Sequence, residues 1–595
     1  MGYLTYVDKH GKKLIKVKYK KKSIEVAKEE VESNKKILLS ENTFDKKDVI
    51  LDKIEIEEKT FYLYLNKKGL LHITCNVNAF YNIKYKLWCK ITKKNIYFLG
   101  IATNRNKEKE YFDNVYFNGE KIGNVTRFIN MKYFKHLAVI RIPMEKLEKS
   151  NEFHNTISIG KSPKESVGLR MKRSKKTGMH YHCMKQIKDK IVIVRSTVNS
   201  AKLRITRVDM QPEYTKLNRF KNTFARFLSK IIGKKDIVLL FEKETKRAEE
   251  SGYYVFEKIV SRNLKSTKAY FIIDKNSKDY TEIKEKYGKL IVEKYSFRHY
   301  LYIYISKYFI SSELSNHVIN TRLYIKSLND EICKKPLIFL QHGIMFAKPV
   351  DNPAAQGFYK GKSQLNIYKN VISSDLEATQ FYKMGYTDED LIKCGLTKFD
   401  SSTLDQDADK ILFMQTYRYW EEGMINNDDA IMQTTYYKSY MDVIRAFEQA
   451  DMLDKFRVSC HPKFAQCLVK AAPEYEKIIE PDLTKALRES KIFITDYSSA
   501  SYDAHYRGAY IIYYWADKEY LIEQYKAIPP INETNCDGVP VYSPKQLVDE
   551  VKKAINNNYV MEQKYEENYR KINEFHDGKN GDRLITELIK LKILK

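Results

Sequence analysis

The sequence contains no run of 18 uninterrupted apolar residues, the minimum for a membrane-spanning helix. Its first 22 residues lack the continuous apolar core of a signal peptide. Tyr6 stands where N-myristoylation favours Ser or Thr. We therefore expect no transmembrane helix, no secretory leader and no N-terminal lipid anchor.

Cysteine is scarce and scattered. The eight cysteines form no Cys-x-x-Cys pair and have no metal-ligand spacing. In a chain of 595 residues this pattern predicts reduced thiols in a cytoplasmic protein.

Several catalytic signatures are also missing. The chain has no Walker A loop, no Gly-x-Gly-x-x-Gly, no Gly-x-Ser-x-Gly elbow and no His-Glu-x-x-His. Their absence argues against a P-loop NTPase, a dinucleotide oxidoreductase, a typical α/β-hydrolase and a zinc protease of that type. No clear Asp-x-Asp pair follows a predicted strand, so we expect a reaction that uses neither a metal ion nor another cofactor.

Positive charge is what the sequence has in excess. Lys and Arg number 105 against 76 Asp and Glu, which gives a net charge of +29. Such an excess attracts nucleic acid, anionic lipid or a phosphate-rich substrate, although a Lys-rich composition with solvated surfaces explains it as well. No RNP, zinc-knuckle or helix-turn-helix signature is present, so we do not expect a nucleic acid partner.

Three patterns divide the chain, which is too long for one core. Hydrophobicity alternates with period two over about 61–205, which predicts a β-sandwich or barrel-like module, whereas 1–60 are ambiguous. After Asp236, ten apolar strand-like runs alternate with helical segments, which predicts two parallel α/β sheets with a break near 400–409. The predicted domains are a β-rich accessory domain (1–215), a linker helix (216–236) and two Rossmann-like domains (237–405 and 406–595).

The linker segment is basic and amphipathic. Its apolar residues fall on one helical stripe, and residues 216–235 contain no acid. This pattern predicts a helix on an anionic membrane surface. An interdomain helix that packs its stripe on a neighbour explains it equally well. The predicted membrane-surface residues are Arg219, Lys221, Arg226 and Lys230.

Four predicted strands end in side chains capable of chemistry, and ligands of open α/β sheets lie beyond such ends. "LIFLQHG" ends in His342, which is either a general base or a polar residue where a buried strand surfaces. "FRVSCHP" ends in His461, either functional or a turn histidine. "ILFMQTYR" ends in Arg418. "KIFITDYSS" ends in Ser498 and Ser499 before a probable helix, where hydroxyls and amides suit a phosphate, although helix capping alone explains them.

These strand-end motifs, in this order, resemble those of the CDP-glycerol glycerophosphotransferase family. The family comprises the teichoic acid primases and polymerases of Gram-positive bacteria and related capsule polymerases. His342-Gly343-Ile344-Met345 matches its His-Gly-Thr-Pro motif, and Gly395–Asp400 loosely matches Gly-x-Pro-Arg-x-Asp. Gln415-Thr416-Tyr417-Arg418 matches Pro-Thr-Trp-Arg. His461-Pro462 and Asp496-Tyr497-Ser498-Ser499 match the family's His-Pro and Asp-Tyr-Ser-Ser motifs without change.

The resemblance covers about residues 236–580 and implies a GT-B pair of Rossmann-like domains with the active site between them. It implies that His342 deprotonates an acceptor hydroxyl, which attacks the β-phosphorus of a CDP-alditol and releases CMP. His461 would stabilise the developing charge. The implied donor and phosphate-binding residues are Thr416, Arg418, Asp496, Ser498 and Ser499.

Departures from the family motifs leave the alditol open. Ile344 replaces Thr, Lys398 replaces Arg, and Gln415 and Tyr417 replace Pro and Trp. The donor that the resemblance implies is therefore CDP-glycerol, CDP-ribitol or another activated polyol phosphate.

The resemblance also implies a lipid-linked polyanionic acceptor, a wall or capsule polymer, at the cytoplasmic face of the plasma membrane, where the protein would be peripheral. The resemblance is also compatible with a homo-oligomer. One alternative is a GT-B glycosyltransferase that uses a nucleotide sugar. Another is a non-catalytic polyanion-binding protein, whose activity would survive His342→Ala and His461→Ala.

Overall fold

The computed structural model divides the chain into two compact units, residues 1–215 and 216–595. It describes all residues except 1, 10–11, 20–21, 33–36, 41–49, 58, 66–69, 76–83, 104–113, 132–134, 151–153, 161, 164–165, 172–179, 197–201, 265, 322, 353–357, 362 and 422–430. Among the described residues, no helix is long and apolar enough to span a bilayer.

The first unit is built mainly of strands. They are β1 (Gly2–Lys9), β2 (Lys12–Tyr19), β3 (Lys22–Ala27), β4 (Ile37–Ser40), β5 (Ile50–Ile56), β6 (Lys59–Leu65), β7 (Leu71–Thr74), β8 (Lys84–Ile91), β9 (Asn95–Thr103), β10 (Asn114–Phe117), β11 (Glu120–Asn124), β12 (Thr126–Met131), β13 (Lys135–Pro143), β14 (Asn155–Gly160), β15 (Ser166–Gly168), β16 (Arg170–Met171), β17 (His180–Ile187), β18 (Lys190–Ser196) and β19 (Leu203–Asp209). Two short helices interrupt them, α1 (Lys28–Glu32) and α2 (Met144–Glu148).

These strands form four sheets, ordered β1-β2-β3, β4-β7-β6-β5, β12-β13-β9-β8-β16 and β11-β10-β14-β19-β18-β17, with β15 beside β14. The alternation of side chains along a strand separates two cores. On β6, Phe61 and Leu63 join the core of the first two sheets. Tyr62 and Tyr64 join the core of the other two. The period-two pattern therefore predicted the strands over 61–205 correctly, whereas β1–β5 lie in residues 1–60, which the sequence left ambiguous.

One expectation about cysteine is wrong. Cys89 on β8 and Cys183 on β17 form a disulfide, with their Cα atoms 6.3 Å apart. The two residues are 94 positions apart in the sequence. Their strands belong to different sheets, so only the tertiary fold brings the thiols together, and no local spacing could reveal the pair.

The second unit alternates strands and helices. Its strands are β20 (Ile237–Leu240), β21 (Lys268–Ile273), β22 (Ile291–Glu293), β23 (Tyr308–Ser311), β24 (Leu337–Phe339), β25 (Ile367–Ile372), β26 (Leu391–Lys393), β27 (Lys410–Phe413), β28 (Phe456–Val458), β29 (Ser490–Thr495), β30 (Tyr510–Tyr514) and β31 (Val539–Val541). Its helices are α3 (Lys216–Ile232), α4 (Ser251–Ser261), α5 (Tyr280–Tyr287), α6 (Phe297–Ile305), α7 (Lys326–Lys334), α8 (Asp375–Lys383), α9 (Thr435–Gln449), α10 (Pro462–Ala471), α11 (Leu483–Glu489), α12 (Ala500–Tyr506), α13 (Lys518–Tyr525), α14 (Pro544–Asn556), α15 (Gln563–Ile572) and α16 (Asn580–Lys590).

Two parallel sheets organise this unit, as the sequence predicted. The first has the order β22-β21-β20-β23-β24-β25-β26 and the second β28-β27-β29-β30-β31. Both are doubly wound, since strand addition reverses direction once in each sheet. In such sheets ligands bind beyond the carboxyl ends of the strands, near the point of reversal.

The C-terminal helix α16 returns to the first half of this unit. Asp582 on α16 accepts hydrogen bonds from Lys258 Nζ at 2.8 Å and from Arg262 at 2.7 Å, both from helix α4 and its end. The carbonyl oxygen of Lys595 accepts from the backbone N–H of Thr267 at 3.2 Å. The predicted domain 406–595 therefore ends in a helix that packs on the preceding half.

Helix α3 turns its apolar stripe outward. Its buried positions are Asn218, Asn222 and Ala225, and Tyr304 of α6 donates a hydrogen bond to Asn222 at 2.8 Å. The large side chains that stay exposed are Leu217, Phe220, Phe224, Phe227 and Ile231. The alternative in which the stripe packs on a neighbouring domain stays a prediction.

The basic residues of α3 flank that stripe. Arg219, Arg226 and Lys230 are exposed, and Lys221 donates a hydrogen bond to the carbonyl oxygen of Tyr295 at 3.1 Å. Three of the four predicted membrane-surface cations therefore have solvated head groups.

Candidate active site

His342 lies on a loop that follows β24 and is anchored from both sides. Gln341, in the left-handed region with φ +62°, donates from Nε2 to the Glu377 carboxylate at 2.9 Å. The same carboxylate accepts the backbone N–H groups of Met345 and Ser373, each at 2.6 Å. Glu377 is fully buried, and burial raises its pKa to about 7. This anchor fixes the backbone on both sides of the imidazole.

Two carboxylates stand beside the His342 ring. Its Nδ1 is 3.7 Å from Glu250 Oε1 and 3.8 Å from Glu313 Oε1. The surrounding protein and the charge of Lys398 lower the pKa of His342 to about 4. The imidazole is therefore neutral near pH 7 and able to accept a proton.

Gly343 brings this loop against the second half of the unit. A Cβ at Gly343 would lie 2.8 Å from the Ser499 hydroxyl oxygen. A real Cβ does not approach another atom so closely, so only glycine fits without a shift. The His-Gly pair thus combines a base with a close approach of the two halves.

Lys398 links the same two halves. Its Nζ donates to the carbonyl oxygen of His342 at 2.8 Å and pairs with Asp503 of α12 at 2.5 Å. Glu250 lies 3.7 Å away. Burial acts to lower the pKa of Lys398, but the two carboxylates outweigh it and the pKa is raised. Lys398 therefore stays charged beside the His342 loop.

A cavity of about 510 Å³ opens between the two halves. His342, Ser498 and Ser499 all line it. Its basic lining residues are Lys348, Lys398, Arg488 and Arg507. Four carboxylates line the cleft as well, those of Glu249, Glu250, Asp405 and Asp503. The cations and hydroxyls can bind phosphate oxygens, whereas the carboxylates repel them.

Asp496 ties together the ends of β27 and β29. Its Oδ1 accepts the backbone N–H of Thr416 at 2.7 Å and of Tyr497 at 2.6 Å. Among the described residues, the Asp496 Oδ2 and the Thr416 hydroxyl have no hydrogen-bond partner. These two predicted residues therefore shape the point of strand reversal beneath the cleft.

The Ser-Ser pair has two roles. Ser498 Oγ accepts the backbone N–H of Ala500 at 3.3 Å, which is the capping contact that the sequence left open. Ser499 is the N-cap of α12 but makes no side-chain capping bond. Its hydroxyl is therefore available to a ligand in the cavity.

Four predicted site residues do not line this cavity in the described part of the chain: Thr416, Arg418, His461 and Asp496. Arg418 is fully buried and pairs with Asp517 and Thr435. His461 is exposed at the end of β28, with its ring centroid 4.7 Å from that of Tyr417. Their predicted contacts with phosphate stay predictions.

Sequence reasoning did not assign several of the residues that surround His342. Lys398 and Asp503 stood near matched motifs, so the motif positions could have indicated them. Glu313 closes the apolar run KYFISSE just after β23, so its strand-end position could also have indicated it. The others lie at helix ends or in loops without a strand-end signal. They are Glu250, Lys348, Glu377, Arg488 and Arg507.

The second unit shares its sequence pattern with known proteins. Residues 223–590 match the family model described as CDP-Glycerol:Poly(glycerophosphate) glycerophosphotransferase. The minor teichoic acid biosynthesis protein GgaB of Bacillus subtilis (strain 168) is 26% identical over 383 residues, which covers 61% of this chain and 40% of that protein. The chain thus spans about 40% of the length of this curated relative.

Among solved structures, the wall teichoic acid polymerase TagF is 15% identical with a TM-score of 0.42, covering 64% of this chain and 98% of that one. A putative UDP-N-acetylglucosamine 2-epimerase from Listeria monocytogenes is 10% identical with a TM-score of 0.38, covering 60% and 97%. The family model spans more than half of the 595 residues and includes the His342 loop, the Lys398 turn and the Ser498-Ser499 helix start, so the chain belongs to the CDP-glycerol:poly(glycerophosphate) glycerophosphotransferase family.

Proposed function

We propose that the protein transfers a polyol phosphate from CDP-glycerol or CDP-ribitol to the terminal hydroxyl of a lipid-linked wall or capsule polymer, with release of CMP. Family membership supports the reaction class. The observation that carries the mechanism is the position of His342 at the wall of a cleft lined by four basic side chains, with Glu250 and Glu313 beside its Nδ1.

In this mechanism His342 accepts the proton of the acceptor hydroxyl. The hydroxyl oxygen forms a bond to the β-phosphorus of the donor, and the bond between that phosphorus and the bridging oxygen breaks. CMP leaves with the bonding electrons, and the product is a phosphodiester. A carboxylate on each of Glu250 and Glu313, both near Nδ1, stabilises the imidazolium that forms.

The donor pyrophosphate would occupy the 510 Å³ cavity. Lys348 and Arg507 would face its charge, and the Ser498 and Ser499 hydroxyls would donate to phosphate oxygens. Because these cations can stabilise the developing charge, the proposal includes transfer without a metal ion. In the same proposal the two halves of the second unit form a GT-B arrangement and bind the donor between them.

The outward stripe of α3 supports a peripheral position on an anionic membrane, at its cytoplasmic face. A Phe-rich face flanked by cations binds such surfaces through apolar burial and charge attraction. A lipid-linked acceptor would be presented at the same surface.

The test is CMP release from CDP-glycerol and CDP-ribitol, measured separately with a lipid-linked acceptor, with and without EDTA. We expect one donor to release CMP at a rate that EDTA does not change and that His342→Ala lowers about 10²–10⁴-fold. Sugar transfer from a nucleotide sugar, with no CMP release from either alditol donor, would replace this proposal with a glycosyltransferase.

A further inference from the structure

One sheet of the first unit has no acidic residue in any of its strands. The sheet has the order β12-β13-β9-β8-β16. Residues 59–107 and 121–144, which include four of these strands, contain no Asp or Glu, and β16 is Arg-Met. The Lys and Arg residues of the five strands are Lys84, Lys86, Lys90, Arg127, Lys135, Arg141 and Arg170. The strands themselves therefore carry no charge that would repel an anion.

Only one face of this sheet joins the core. Phe98 of β9 and Ile140 of β13 are buried in that core. Because side chains alternate along a strand, the residues next to them in the sequence lie on the opposite face. On that face Trp88 of β8 is 53% exposed. A single exposed aromatic residue is common on a protein surface, so its neighbours decide whether it marks a site.

Trp88 begins an apolar row that crosses three strands. It lies opposite Leu99 of β9, which lies opposite Val139 of β13. Leu99 and Val139 are both partly exposed. Directly opposite residues have their Cβ atoms about 5 Å apart, so the row is continuous. It can contact the CH groups of a carbon chain laid across the sheet.

A second row, two residues further along β8, is cationic. Lys90 lies opposite Tyr97, which lies opposite Arg141. Lys90 and Arg141 are exposed, and neither pairs with a carboxylate among the described residues. They lie two strand spacings apart, about 10 Å. Lys90 Nζ is 6.0 Å from the centroid of the Trp88 ring, so the two rows adjoin.

Asn95 holds Arg141 in place. Its Oδ1 accepts a hydrogen bond from Arg141 Nε at 2.8 Å, and its Nδ2 donates to the Tyr97 hydroxyl at 3.1 Å. Asn95 itself is buried. In the described part of the chain the two terminal nitrogens of the Arg141 guanidinium have no partner. A guanidinium fixed in this way is prepared to bind phosphate oxygens.

Charge and apolar contact in adjoining rows suit a chain that alternates phosphates with short carbon units. The description of the matching family names such a chain, a poly(glycerophosphate). Single-stranded nucleic acid alternates similarly, but it binds by stacking successive bases on open rings. Tyr97 is partly buried and bonded to Asn95, so it does not offer a second open ring beside Trp88.

We propose that this face binds a polyol phosphate polymer along its length, with phosphates on Lys90 and Arg141 and polyol carbons on the Trp88 row. The inference rests on the proposed transferase function, which supplies the polymer, and adds a second contact with it in the first unit. A polymer held on the protein presents its end at a higher effective concentration. Long acceptors should therefore be used at lower concentration than short ones.

The first test measures binding of a long glycerol phosphate oligomer to the full chain by calorimetry. Lys90→Glu should weaken binding about tenfold, because it places a negative charge in the cationic row. Lys121→Glu is the matched control, since Lys121 is an exposed cation on β11 of another sheet, and it should stay within twofold. No binding by the wild type, or equal losses in the two variants, overturns the inference.

Trp88→Ser tests the apolar row, and exposed Trp88 can be replaced without opening the core. We expect binding of the oligomer to weaken about fivefold, by a factor that added salt does not reduce, because apolar contact is not screened. Unchanged binding overturns the inference. An oligouridylate of equal charge should bind more weakly than the oligomer. Tighter binding of the oligouridylate, lost in Trp88→Ser, would assign the face to nucleic acid instead.

The second test measures CMP release with acceptors of increasing length. In the wild type KM should fall as the acceptor lengthens, whereas in Lys90→Glu it should not, and kcat with the shortest acceptor should be the same in both. A KM that is independent of length, or that falls equally in both proteins, overturns the inference. If no CDP-alditol yields CMP, the transferase proposal fails, yet the binding comparison still decides the role of this face.

Discussion

Gly343 and Ser499 meet across the cleft so closely that a Cβ on Gly343 would lie 2.8 Å from the Ser499 Oγ. Gly343 follows the candidate base His342, and Ser499 is the N-cap of helix α12, which lines the proposed donor cavity. Their contact holds the His342 loop against the second half of the unit.

Gly343→Ala should therefore lower kcat/KM about tenfold, because the added Cβ displaces the Ser499 hydroxyl from the cleft or moves the two halves apart. Removing the clashing hydroxyl with Ser499→Ala should recover part of the loss. The measurement is a double-mutant cycle on CMP release. If the losses of the two single variants simply multiply in the double variant, the contact does not set the geometry of the cleft.

His342→Gln should lower kcat about 10²–10⁴-fold and leave the Kd for CDP-glycerol within a few fold, because it removes a proton acceptor and not a donor contact. CMP release and calorimetry check the two parts. His182→Gln in the first unit is the matched control and should retain full activity. A His342 variant with wild-type kcat would show that another group is the base.

The protonation of His342 should appear in the pH–rate profile as an acid limb below pH 6, separate from the protonation of Glu313, whose pKa burial raises to about 7. His342 works as a base only when neutral, and its pKa is lowered to about 4, so it stays neutral well below its ordinary value of 6.5. Lys398→Met removes a positive charge that contributes to this lowering, so the limb should move to higher pH. A limb near 6.5 in the wild type, unmoved in the variant, would contradict the assignment of His342.

Lys398→Met should also destabilise the protein, since it leaves the buried Asp503 carboxylate without its cation. Breaking such a pair typically costs about 3–5 kcal/mol of unfolding free energy. Urea unfolding measures the change. The double variant Lys398→Met/Asp503→Asn should regain part of it, whereas an equal loss in both variants would exclude charge pairing as the cause.

The stripe of α3 should bind anionic vesicles. Phe220→Ser combined with Phe227→Ser should weaken co-sedimentation with phosphatidylglycerol vesicles at least tenfold, because two exposed rings no longer enter the bilayer surface. Phe128→Ser on β12 changes another exposed Phe and should have no effect. Added salt should weaken wild-type binding, as expected for attraction by Arg219, Arg226 and Lys230.

The sequence located the strands of the second unit well. Each of the ten predicted apolar runs overlaps a strand of the two parallel sheets. The sequence missed β26 and β31. Pro540 in β31 argues against a strand because proline cannot donate a backbone hydrogen bond, whereas nothing in the sequence distinguishes β26 from a loop.

The sequence was less informative about contacts between distant residues. It selected His342 and Ser499 because each follows a strand, and both line the cleft. It also selected Arg418, whose guanidinium the fold instead buries against Asp517, a residue 99 positions away. A strand-end position predicts the edge of the sheet but not the direction of a long side chain.

By itself the sequence indicated the β-rich first region, the parallel strands, the basic amphipathic helix and the candidate base. Periodicity and local motifs encode these features, because they depend on neighbours along the chain. Only the tertiary structure decided the Cys89–Cys183 pair, the Lys398 link to Asp503 and the cavity that His342 and Ser499 line. Each of these joins residues far apart in sequence, whose proximity is set by how sheets and helices pack.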